Sequence, residues 1–209
     1  MLRPPNLAAT GTACVLLLLT LLGLSAGLTN GFKHWTFEDR RRQQASEAQL
    51  QAPAPFLIRT SNGQALRLFD QPNAVYLVDF IYTRCETICQ ALGAEYFQMQ
   101  EALRSEPTSR VKLVSLSFDG LHDGQAELAA YGRRHRADAA LWTVAAPTGA
   151  AASTQLLQQL GVVAVPDGFG GFVHNGAIHL IDGSGQVRQI FDYTDWQAAL
   201  SAAQQLPRP

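Results

Sequence analysis

The hydrophobic pattern divides the chain into an unbroken apolar stretch, a polar stretch and a long region of mixed periods. From Leu7 to Leu28 no residue is charged, and Val15 to Leu22 is almost entirely Leu. About 20 apolar residues cross a bilayer, so 7–28 is read as a transmembrane anchor and 1–6 as a cytoplasmic tail; a signal peptide cleaved near Gly27 is the alternative. Cys14 precedes the Leu run, whereas a lipoprotein cysteine would follow it, which leaves Cys14 as a small apolar residue of the segment. Lys33, Arg40, Arg41 and Arg42 follow the span and Arg3 alone precedes it, a count that by itself favours a C-terminal body inside the cytoplasm. We place the body outside, because so short a tail is easily retained and the chemistry below suits an exported domain.

Residues 29–54, with a charge cluster, a Gln/Ala-rich run, Pro53 and Pro55 close behind, read as a tether into a domain over 55–209. Phe56–Thr60 and Gln64–Leu68 flank Ser61-Asn62-Gly63, a hairpin signal. Ala74–Tyr82 is a nearly continuous apolar run, suited to a strand covered on both faces. Ile88, Leu92, Tyr96, Met99 and Leu103 then recur at steps of three and four, which predicts a helix over Thr87–Leu103 and makes Met99 a core residue. Strands at Val111–Phe118 and Leu141–Ala145 alternate with helices at Gly124–His135 and Ser153–Leu160. Ala177–Ile181 and Gln186–Phe191 form a second hairpin, and Thr194 with Gln197 matches a capping box opening a last helix. Alternating strands and helices call for an α/β fold with a mainly parallel central sheet. With terminal β-hairpins this is the layout of a thioredoxin-like sandwich, here preceded by one transmembrane helix.

Composition narrows the function. At 47% hydrophobic, 16% charged and a formal net charge of -1, the chain is globular in character and has no basic footprint for nucleic acid. Three cysteines are too few for a disulfide scaffold, so Cys85 and Cys89 act locally. They fall where the buried strand gives way to the helix, and a helix N-terminus favours thiolate, the nucleophilic and metal-binding form. Residues four apart share a helix face, so the two sulfurs can hold one ion or close a Cys85–Cys89 disulfide. Two sulfurs seldom complete a metal site, and the third ligand is sought among five histidines. His34 and His135 read as solvated and His179 as packed in a strand. His122, at the same sheet end as the cysteines, and His174, on a loop after Gly168-Phe169-Gly170-Gly171, both remain candidates. Two thiolates with an imidazole favour copper, with zinc as the plain competitor, and spacing alone does not choose between them.

Val75–Cys89 (VYLVDFIYTRCETIC), Leu113–Asp123 (LVSLSFDGLHD) and His174–Gly185 (HNGAIHLIDGSG) resemble the Sco/SenC family of membrane-anchored, thioredoxin-like copper proteins. The resemblance covers most of 55–205. It implies a copper site of Cys85, Cys89 and His174, with Asp119, of an Asp119-x-x-x-Asp123 pattern, as a supporting or partner-facing carboxylate. It further implies a domain outside the cytoplasm, in a bacterial periplasm, that delivers copper to, or reduces the cysteines of, the binuclear copper site of cytochrome c oxidase or serves another copper protein. The rival reading is an extracytoplasmic thiol-disulfide oxidoreductase in which Cys85 and Cys89 are catalytic and metal binding is incidental. Two positions depart from the family pattern. Glu86 stands in place of the usual Pro, favouring a bound cation while opposing thiolate formation, and Asp182-Gly183-Ser184-Gly185 replaces the usual Gly-Pro-Asp-Gly turn.

Overall fold

The computed structural model describes residues 7–29, 31–32, 36–106 and 109–208. The expected tail over 1–6 and His34 lie outside the described residues. Two compact units divide between Arg41 and Arg42. In the first, helix α1 (Leu7–Leu28) is 22 residues long, long and apolar enough to cross a membrane. Helix α2 (Phe37–Ser46) was not foreseen. Its N-terminus is a capping box, in which the Asp39 amide donates to Thr36 Oγ1 at 3.1 Å and the Thr36 amide to Asp39 Oδ2 at 3.2 Å. From Arg42 onward the expected tether is part of the second unit, where Ala45, Leu50 and Ala52 are buried in the core.

That unit is built on a seven-stranded sheet ordered β2-β1-β5-β4-β3-β8-β9. Its strands are β1 (Phe56–Thr60), β2 (Ala65–Leu68), β3 (Val75–Ile81), β4 (Val111–Ser117), β5 (Trp142–Pro147), β8 (Ala177–Asp182) and β9 (Val187–Asp192). The central β3, β4 and β5 run parallel, and the two terminal hairpins add antiparallel strands at either side. Every residue of β3 is buried, as its apolar run required. Odd positions such as Val75, Leu77 and Ile81 face a core shared with α3 (Ile88–Arg104), α4 (Gln125–Arg134) and α6 (Trp196–Gln205). Even positions such as Tyr76, Val78 and Phe80 face a second core closed by α5 (Ala150–Gln159) and the segment from Ala45 to Phe69. Covering both faces is what allows a parallel sheet to exclude water from its ladders.

Three local expectations change. Helix α5 opens at Ala150, earlier than Ser153, directly after Gly149 at φ 109°. The Thr194–Gln197 capping box does not form; instead Asp192 accepts from the Thr194 amide and starts a 3-10 turn at Tyr193–Asp195 leading into α6. The Gly-rich loop before His174 is a small second sheet of β6 (Ala164–Pro166) and β7 (Phe172–His174), with Val165 paired to Val173. Its turn is tied by Asp167 Oδ1, which accepts from the amides of Phe169 and Gly171.

Candidate metal centre

β3 ends in the segment Tyr82-Thr83-Arg84-Cys85, and this turn is stapled to the neighbouring strand by a buried acid. Asp123 accepts from the Thr83 amide at 2.8 Å, from the Thr83 hydroxyl at 2.6 Å and from the Ser117 hydroxyl at 2.6 Å. Beside it, Asp119 accepts from Arg84 at 2.8 Å and lies 2.8 Å from His122 Nδ1. Burial pushes the Asp119 carboxyl up, but the hydrogen bonds from Arg84 and His122 outweigh it and leave the group below its ordinary value. The next residue in the chain is Cys85.

Cys85 is not on the helix. α3 begins at Ile88, so the i, i+4 helical face expected to bring the sulfurs together does not apply. The chain instead turns back, and the Cys89 amide donates to Cys85 Sγ at 3.3 Å. Thr87, the residue before the first turn, offers no side-chain cap, so the Cys85 sulfur is the acceptor for one of the unpaired amides of the helix. Gln90 Nε2 holds the Cys85 carbonyl at 2.8 Å, and Tyr131 OH holds that of Cys89 at 2.9 Å. Both cysteines are free thiols and buried, 2% and 0% exposed.

The third donor arrives on β7. His174 Nε2 lies 3.4 Å from Cys89 Sγ, and the ligand atoms of Cys85, Cys89 and His174 all fall within 4.8 Å of one another. The ring is walled by Tyr82 (centroids 5.8 Å apart) and Phe118 (5.3 Å), with Phe172 against both of these. His174 Nδ1 is buried without a partner, so Nε2 is the nitrogen turned to the sulfurs. Hydrogen bonding from Cys89 in the first place, against the cost of burial, and then from His174 holds the Cys85 thiol well below its ordinary value. The same contact and burial push the Cys89 thiol up. Two sulfurs and one imidazole, converging and largely shielded from water, can hold a soft metal ion.

The sequence model of the SCO1/SenC family matches residues 43–206. The chain belongs to the SCO1/SenC family. The SCO1 protein homolog of Bacillus subtilis (strain 168) is 27% identical over 142 residues, 66% of this chain and 72% of its own length. Among solved structures, BsSco, described with a disulfide switch and as a member of the Sco family of cytochrome c oxidase assembly proteins, superposes with a TM-score of 0.63. It is 21% identical and covers 76% of this chain and 96% of its own. Bradyrhizobium japonicum ScoI, solved with copper bound, gives a TM-score of 0.63 at 20% identity, covering 75% and 99%. The fold of this SCO1/SenC chain is thus the thioredoxin-like one of its relatives.

Of the other residues singled out from sequence, His122 is half exposed and belongs to the Asp119–Arg84 cluster, outside the three-ligand group. Asp119 makes its bonds to Arg84 and His122 and so reaches the thiols through the chain at Arg84. His135 is not simply solvated: its ring packs at a tilt of 50° against Tyr131, centroids 4.5 Å apart, and burial, then Arg134, lowers its pKa. His179 is buried edge-on against Phe80, and Cys14 is exposed on α1. Glu86 is exposed beside the thiols. The sequence reading missed the role of Asp123 as the acid that fastens the Cys85 turn; the signal was Thr83, a hydroxyl in the same turn with no apolar reason to be there.

Proposed function

We propose that this SCO1/SenC protein binds copper through Cys85 Sγ, Cys89 Sγ and His174 Nε2 and passes it, from a membrane-anchored position outside the cytoplasm, to the copper-site subunit of cytochrome c oxidase. The observation that carries the reading is the convergence of the three ligand atoms within 4.8 Å at the mouth of an SCO1/SenC fold. Thiolate and imidazole donors suit Cu(I), and a neutral-to-anionic pair of sulfurs offsets the ion's charge. The copper in Bradyrhizobium japonicum ScoI and the oxidase-assembly description of BsSco support cargo and client in turn. The length and composition of α1 support the anchor.

A second reading, dithiol exchange, is favoured by the lowered Cys85 thiol. In it Cys85 attacks a client disulfide and Cys89 displaces the mixed disulfide, so that two electrons pass to the client and the Cys85–Cys89 bond forms. Burial of both thiols argues for the ion, which is small enough to reach sulfurs that a client disulfide meets only after local opening.

The deciding experiment is a Cu(I) titration of the full-length protein, reduced and oxidised, with disulfide reductase activity assayed in parallel. One copper per reduced chain is expected, with binding abolished by Cys85→Ala or Cys89→Ala, sharply weakened by His174→Ala, and absent after oxidation, since a disulfide has no thiolate to donate. Equal binding by the oxidised chain, or loss of copper in His122→Ala but not in His174→Ala, would place the metal elsewhere. Rapid disulfide turnover indifferent to His174→Ala would favour the exchange reading.

A further inference from the structure

At the other end of β3 the molecule has a second concave site. A pocket of about 450 Å³ opens beside Val75, the first residue of the strand whose far end leads to Cys85. Seven residues of extended chain put about 20 Å between the two, so this pocket is separate from the metal centre. Its apolar lining comes from Phe69, Ala74, Val75 and Leu206. Three arginines also line it, Arg110, Arg188 and Arg208. Arg188 is engaged by Asp182 at 2.6 Å. Arg110 and Arg208 make no ion pair or side-chain hydrogen bond among the described residues. The facing acids are Asp182, already paired, and Asp70 at the rim. With Asp182 and Arg188 cancelling, two cations face one carboxylate, and the pocket keeps a positive excess.

The walls are built rather than accidental. Phe69 has φ 59°, a left-handed conformation that a bulky side chain rarely takes, and it places the buried ring edge-on against Tyr76 at 5.1 Å while turning Asp70 outward to the rim. On the opposite wall, a Cβ at Gly183 would lie 2.1 Å from the Gln71 carbonyl oxygen, so the β8–β9 turn is seated directly on the 71–72 backbone. A fixed apolar floor with free planar guanidinium groups at its edge is the arrangement that recognises an oxyanion carried on an apolar body.

We infer that this pocket binds a small organic phosphate or carboxylate, with Arg110 and Arg208 on the oxyanion and the apolar part against Pro72, Leu206 and Pro207. The oxyanion can belong to a soluble metabolite or to an anionic lipid headgroup. The test is calorimetric titration of phenyl phosphate into the full chain held in phosphatidylcholine nanodiscs, with empty discs as blank. Saturable one-to-one binding is expected, tighter than that of either inorganic phosphate or phenol, each of which satisfies half the site. Arg110→Gln and Arg208→Gln should each weaken phenyl phosphate about tenfold, because a charge-assisted bidentate pair is lost. Cu(I) binding should be unchanged in both variants. Replacing part of the lipid by phosphatidylglycerol separates the sources: suppression of phenyl phosphate binding points to a lipid phosphate in the pocket, and undiminished binding points to a soluble anion. No saturable heat, or binding that survives in the Arg110→Gln/Arg208→Gln double variant, overturns the assignment.

Discussion

Asp79 sits in the middle of β3, fully buried, and neither carboxylate oxygen has a hydrogen-bond partner. Its pKa is raised from 3.8 to about 7, chiefly by burial; Ser115 and Tyr96 lie nearby and offset only part of that shift. Well below pH 3.8 the group is neutral whether folded or unfolded, and ionisation contributes no penalty. Between there and pH 7 the unfolded chain has lost a proton that the folded chain still holds, so stability falls as pH rises, by up to about 1.4 kcal/mol per pH unit. Above pH 7 both states are ionised and the penalty is complete, about 4 kcal/mol for a shift of about three units. Asp79→Asn removes the ionisation while nearly keeping the shape, and the unmet hydrogen-bonding need of the amide replaces that of the neutral acid. The variant should therefore be more stable than the parent by about 4 kcal/mol at pH 8 and by only about 1 kcal/mol at pH 4.5. Urea melts of the reduced, metal-free protein at the two pH values, followed by tryptophan fluorescence, give both differences. A variant less stable than the parent at pH 8, or a gain equal at both pH values, would refute the electrostatic origin of the penalty.

Two further outcomes follow from contacts around the sheet ends. Asp123→Ala removes three hydrogen bonds and strands two buried hydroxyl donors, which should cost about 3 kcal/mol in urea melts and weaken Cu(I) binding about tenfold by freeing the Cys85 turn; unchanged affinity in a folded variant would show that the turn is held by other means. Gly183→Ala forces a methyl group against a backbone carbonyl and should destabilise by about 2 kcal/mol or more; a melt indistinguishable from the parent would mean that the 71–72 loop yields.

Most of the scaffold could be read from the sequence because burial imposes a period. β3 announced itself as an apolar run and α3 as a stripe from Ile88 to Leu103, and both hairpins carried their turn residues. What escaped lacks such a period. α2 is too polar for an apolar stripe and is marked by Thr36 and Asp39 at capping-box spacing. β6 and β7 are three residues each, too short to show alternation, and depend on the Asp167 turn. The spacing of the cysteines was informative although its helical rationale was not, because Cys85 folds back from outside α3. His174 could be separated from His122 only by the third dimension, since nothing local to either residue says which one the sheet topology delivers to the thiols.

The sulfur that caps α3 carries one more implication. A Cys85 thiolate is a good acceptor for the Cys89 amide, but a sulfur drawn into a disulfide or committed to an ion has less electron density to offer that N–H. The first turn of the helix therefore frays or tightens with the chemical state of the site, and the solvent exchange rate of a single amide proton, that of Cys89, becomes a gauge of whether the pair is reduced, oxidised or loaded.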